Sequence, residues 1–145
     1  MASKNRLTIP GQYDCIHEAC DFVVNGAEET GFGPDEVFRI QLACDEACTN
    51  IIEHAYGGEG LGDIEISWKN EKGAFIIEVR DNGRPFSPKD VKVPTIPSNP
   101  DDLEDLKVGG LGLHFMRTLM DEVNFSFNDE GNKLLMIKYV DGAGR

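Results

Sequence analysis

The sequence predicts an α+β fold, a two-layer sandwich in which helices cover one face of a mostly antiparallel, mixed sheet. Three observations carry that prediction. Two segments in the first third repeat apolar residues every three and four positions, which marks amphipathic helices. From Ile64 onward apolar and polar residues alternate, which marks strands with one buried face. One further helical pattern stands before the last strands, so the strands cluster after the first two helices. At 145 residues the chain suits a single domain, 1–145, and a domain of that size buries roughly 68–70% of its unfolded surface.

The elements follow in order. Arg6 to Ile9 is a short strand, closed by Pro10-Gly11. From Tyr13 to about Glu29, Ile16, Ala19, Cys20, Val23, Val24 and Ala27 line one helical face, and Gly31 stops the helix. Pro34 suits the first turn of a second helix, whose buried stripe runs from Val37 through Ile40, Ala43, Cys44, Ala47 and Ile51 to Ala55 before Gly57-Gly58 ends it. Ile64, Ile66 and Trp68 form a strand, turned at Asn70-Glu71-Lys72-Gly73 into a second with Phe75, Ile77 and Val79. A proline-rich, acidic stretch follows, and a loop this long in a compact domain is expected to be functional. Leu111 to Val123 reads as a short helix; Phe125 to Phe127 and Leu134 to Val140, joined by Asn128 to Lys133, read as a final hairpin.

Composition narrows the function classes. Fourteen basic against twenty-six acidic residues give a net charge of −12, which argues against an electrostatic grip on nucleic acid or on an anionic membrane. The N-terminal residues lack the apolar core of a secretory signal, and no stretch approaches ~18 consecutive apolar residues, so a cytoplasmic protein is expected. The four cysteines contain no Cys-x-x-Cys pair and read as small hydrophobes.

Three motifs carry chemistry. Glu46 and Asn50 are four apart on the second helix, so they project from one side, as a base and a metal ligand flanking one phosphate chain would need. Asp81-Asn82-Gly83 directly follows a strand and taken alone is equally an ordinary turn. Gly109-Gly110-Leu111-Gly112 opens a helix, where backbone N–H groups and the positive end of the helix dipole suit an anion. The loop lacks the Gly-Lys-Ser/Thr ending of a P-loop, and Phe115 stands where a dinucleotide fingerprint has its third glycine. Another phosphate-binding geometry is required.

In this order the three motifs resemble the ATP-binding boxes of the GHKL superfamily of ATPases and kinases. Asp45 to Asn50, Asp81 to Phe86, and Gly110 to Leu113 running on to Val123 are most similar to the anti-sigma-factor serine/threonine kinases. The resemblance implies ATP and Mg²⁺ as cofactors, with Asn50 as Mg²⁺ ligand and Glu46 as general base. It implies that Asp81 accepts a hydrogen bond from the adenine amino group and that Gly83 lets the backbone turn beneath the base. Gly110, Leu111, Gly112 and Leu113 would bind the phosphates, and about 84–108 would form an ATP lid. Lys107 and Arg84 are the cations available for the terminal phosphate, whereas His54 reads as a solvated helix-end residue.

The resemblance also bears on partners. Histidine kinases add a dimerising helical pair with a phosphoacceptor His, and typically carry Asn where this chain has Glu46; topoisomerase, mismatch-repair and chaperone relatives attach large further domains. A single domain is left with a partner protein as its natural substrate. The expected activity is serine/threonine phosphorylation of an anti-sigma-factor antagonist, with sequestration of a sigma factor as a second role and a homodimer as the assembly. The alternative is a nucleotide-dependent protein-binding module without phosphoryl transfer, suggested by the acidic loop.

Overall fold

A computed structural model describes residues 5–84, 116–128 and 131–140. Five strands, β1 (Asn5–Pro10), β2 (Asp63–Glu71), β3 (Ala74–Asp81), β4 (Glu122–Asn128) and β5 (Gly131–Tyr139), form one sheet in the order β1-β2-β3-β5-β4. All four pairings are antiparallel, so the mostly antiparallel character expected of the sheet is complete among the described residues. Two helices, α1 (Ile16–Thr30) and α2 (Pro34–Asn50), pack on it, and a 3-10 turn at Tyr13–Cys15 leads into α1.

Alternation decides the sheet's faces. Ile64, Ile66 and Trp68 on β2, Phe75, Ile77 and Val79 on β3, and Leu134 and Met136 on β5 are buried in one core with Ala19, Val23 and Ala27 of α1 and Ile40, Ala43 and Ala47 of α2. Pro10 is tolerated because β1 is an edge strand. Lys72 and Gly73, both at positive φ, form the tight turn between β2 and β3.

α1 lies against Trp68 at one particular residue. A Cβ on Gly26 would fall 2.3 Å from the indole ring, so only glycine lets the helix settle there. The indole is in turn held between Phe22 and Phe75, at centroid distances of 6.4 and 5.6 Å.

Three sequence boundaries move. The second helix was expected to run regularly to Ala55, but the α-helix ends at Asn50 and Ile51–Tyr56 widens into a π-helix. The helix expected over Leu111 to Val123 is helical at residues 116–119, and strand β4 has begun by Glu122. The backbone N–H of Asp121 donates to Ile137 O at 2.9 Å, and its Oδ2 accepts from Tyr139 N at 2.7 Å, which ties the chain to β5 at that point. Val123 and Phe125 then pack against the core with a period of two. β5 likewise starts at Gly131, three residues earlier than expected. The loop expected as a lid, apart from Arg84, and Gly110, Leu111, Gly112 and Leu113 lie outside the described residues.

Candidate functional site

Asn50, the last residue of α2, is 3% exposed, and its Nδ2 makes no hydrogen bond among the described residues. A buried amide donor left unpaired costs about 1–3 kcal/mol, so such groups call for a partner that completes them. Ala47 and Ile51 flank it and offer only apolar side chains. These three residues line a pocket whose other walls are Asp81, Met116, Phe125, Lys133 and Leu134. The pocket therefore opens between the end of α2 and the paired strands β3 and β5. Glu46, half-buried, precedes Asn50 by one turn, about 6 Å along the axis.

The opposite wall is built from the turn that follows β3. Asp81 is 6% exposed, and its Oδ1 accepts from the backbone N–H of Gly83 and from Asn132 Nδ2, each at 2.8 Å. Burial pushes its carboxyl above the usual carboxylate pKa; the bonds from Asn132 and Gly83 pull in the other direction without cancelling it. Among the described residues both donors fall on Oδ1, which leaves Oδ2 for a ligand. Gly83 passes so close to the helix end that a Cβ there would stand 2.5 Å from the backbone of Ala55. No side chain fits between them.

The turn is also fastened to the π segment. Arg84 donates from its backbone N–H to Ala55 O at 2.8 Å and from Nε to His54 O at 3.0 Å. These carbonyls belong to the last turn of a helix, where acceptors lack intrahelical donors and a cation is favoured. Tyr56 OH donates to Asp63 O at 2.5 Å and accepts from Asn82 N at 3.0 Å, and burial raises its pKa and keeps it the neutral donor this needs. Arg84, one of the two candidate cations for the terminal phosphate, is exposed and has its Nε engaged at the helix end, and His54 is half-buried instead of solvated.

Of the residues expected from the sequence, Asn50 and Asp81 meet across one pocket, Gly83 supports Asp81, and Glu46 shares the helix with Asn50. Two were missed. Asn132 was read as part of a loop, and only the β3–β5 register, which sets it opposite Asp81, reveals it. Lys133, next to it, lines the pocket as well. The pocket is mostly apolar and only about 10 Å³ in volume, so it would touch no more than an edge of a nucleotide, with Asn50, Asp81 and Lys133 as the polar groups available. Magnesium typically takes one or two protein ligands and completes its shell with phosphate oxygens and water. Asn50 would meet such an ion through its amide oxygen, while its unpaired Nδ2 donor suits a phosphate oxygen, and no cluster of three or more His, Cys, Asp or Glu exists among the described residues to hold a resident metal.

Comparison with known proteins fits this geometry. The family described as a histidine kinase-like ATPase domain matches residues 9–138. "Serine-protein kinase RsbW" of Bacillus cereus is 38% identical over 140 residues, covering 94% of this chain and 85% of that one. Its namesake in Listeria monocytogenes is 34% identical over 142 residues, covering 97% and 90%. Among solved structures, the catalytic domain of histidine kinase ThkA superposes with a TM-score of 0.54 at 14% identity, covering 93% of this chain and 95% of that one. That likeness speaks to the fold.

Proposed function

This chain belongs to the histidine kinase-like ATPase domain family, and we propose that it is an ATP-dependent protein serine/threonine kinase of the anti-sigma-factor type. The observation that carries the reading is the meeting of two buried polar residues, Asn50 with its unpaired amide nitrogen and Asp81 with one oxygen held in reserve, in one pocket. Asp81 Oδ2 accepts from the adenine amino group, and Gly83 keeps the backbone close beneath the base. Asn50 would hold, through its amide oxygen, the Mg²⁺ that accompanies ATP, and the ion would neutralise charge on the phosphates. Gly110, Leu111, Gly112 and Leu113 supply backbone N–H groups to the phosphates.

Phosphoryl transfer depends chiefly on positioning and charge neutralisation. Glu46 takes the proton of the acceptor hydroxyl, the hydroxyl oxygen forms a bond to the γ-phosphorus, and the bond to the β–γ bridging oxygen breaks to release ADP. The acceptor is an anti-sigma-factor antagonist, and a sigma factor is the second partner. The kinase acts in the cytoplasm as a homodimer of single domains spanning 1–145.

The test is transfer itself. The purified protein with Mg-ATP and candidate antagonist proteins from its own cells is expected to place phosphate on one serine or threonine, identified by mass spectrometry. Glu46→Ala is expected to slow transfer by on the order of 10²–10⁴ while leaving ATP affinity within a factor of about three. Transfer at the unaltered rate would remove Glu46 as the base, and ATP-dependent capture of a partner that never gains phosphate would remove the kinase.

A further inference from the structure

Asn132 stands on β5 directly opposite Asp81 and is 5% exposed. Its Nδ2 carries two hydrogens and has three acceptors within reach: Asp81 Oδ1 at 2.8 Å, Gly83 O at 3.1 Å and Arg84 O at 3.2 Å. Three surrounding oxygens settle which end of the amide faces them, because the reversed amide would set its own oxygen against all three. Asp81 Oδ1 already accepts from Gly83 N–H, so it is gripped by two donors. A carboxylate held in this way cannot turn about its terminal bond without breaking both.

We propose that Asn132 is a positioning residue for base selection: by holding Asp81 Oδ1 it fixes the ionised carboxylate so that Oδ2 faces the base as an acceptor, which takes a 6-amino purine and opposes a 6-oxo purine. The inference rests on the reading that Asp81 meets the base. A 6-amino group donates to such an oxygen, whereas a 6-oxo group meets it lone pair to lone pair. An unheld carboxyl escapes that conflict by turning aside, or by taking a proton and donating it, which the two donors on Oδ1 oppose. The same amide also bonds the two carbonyls after Asp81, so selection and the path of the turn depend on one side chain.

ATP and inosine triphosphate, which carries the 6-oxo group, separate these effects when their dissociation constants are measured by titration calorimetry. The unaltered protein is expected to prefer ATP, and Asn132→Leu, similar in shape without the donors, is expected to lower that preference roughly tenfold. A merely structural role would weaken both nucleotides together and leave their ratio unchanged, which would overturn the proposal. Asn132→Ala serves as the second variant. Should neither fold, the side-chain NH₂ of Asn132 in the unaltered, ¹⁵N-asparagine-labelled protein is expected to exchange slowly with solvent and to shift with ATP; rapid exchange insensitive to ATP overturns the proposal. A protein that binds both nucleotides equally, or an Asp81→Asn variant that keeps the preference, removes the adenine reading itself and this inference with it.

Discussion

At Asp81, burial and hydrogen bonding pull in opposite directions, and burial prevails, so its pKa lies above the ordinary value. The consequence for folding has a definite sign. A proton binds this group more readily in the fold than in the unfolded chain, so its contribution to stability is fullest below the unfolded pKa and is lost as pH rises through the folded one. Binding runs the other way, because accepting from an amino group favours the carboxylate. ATP affinity is expected to fall on acidification through the raised pKa of Asp81, and Asp81→Asn should bind weakly with that pH dependence gone. Calorimetric titrations carried from neutral pH down toward the ordinary Asp value of about 3.9 would show it; a loss of affinity on acidification that is the same in Asp81→Asn would refute it. Asp81 and Gly83 were legible because a motif names them. Asn132 was not, since an isolated Asn in a hairpin carries no periodic or motif signal.

At the scale of elements, the sequence specified helices and strands wherever one period dominated, and misplaced boundaries where two competed. Met116, Leu119 and Met120 suit a helix, yet Val123 and Phe125 are taken by the sheet, because Asp121 is bonded to both Ile137 and Tyr139. The π turns after Asn50 have no local signature either; their carbonyls are completed by Arg84, thirty residues away along the chain from His54. Gly26 is the clearest case of an element fixed by its neighbour. Alanine there gains about 1 kcal/mol of helix propensity, but its methyl would enter the Trp68 ring, which Phe22 and Phe75 keep from stepping aside. Overpacking of that kind costs about 1–3 kcal/mol or more. Gly26→Ala is therefore expected to lower the melting temperature by about 5 °C, and calorimetry showing an unchanged or raised Tm would mean that α1 can shift away from the sheet.

For the whole molecule, one core joins α1, α2 and the sheet, and its thiols report on it. Cys20, Cys44 and Cys48 are buried free thiols, whereas Cys15 is half-buried. The pKa of Cys20 is pushed up by its bond with Cys44 and by burial; at Cys44 the bond with Cys20 lowers it, but the bond with Cys48 and burial outweigh that. Thiols are reactive as accessible thiolates, so a native titration with a disulfide reagent should modify Cys15 first and the other three at the rate of unfolding. Prompt reaction of all four would mean that α1 and α2 part without global unfolding. No helix among the described residues is long and apolar enough to cross a membrane. The sequence by itself determined the fold class and the net negative charge, and singled out Glu46, Asn50, Asp81 and Gly83 as candidates, because periodicity and short motifs are written in consecutive positions. Only the tertiary structure decided that Asn50 and Asp81 face one pocket, that Arg84 completes the helix end, and that Asn132 grips Asp81. Those contacts depend on strand register and on helix phase at a widened turn, and both are set by packing between residues far apart in the chain.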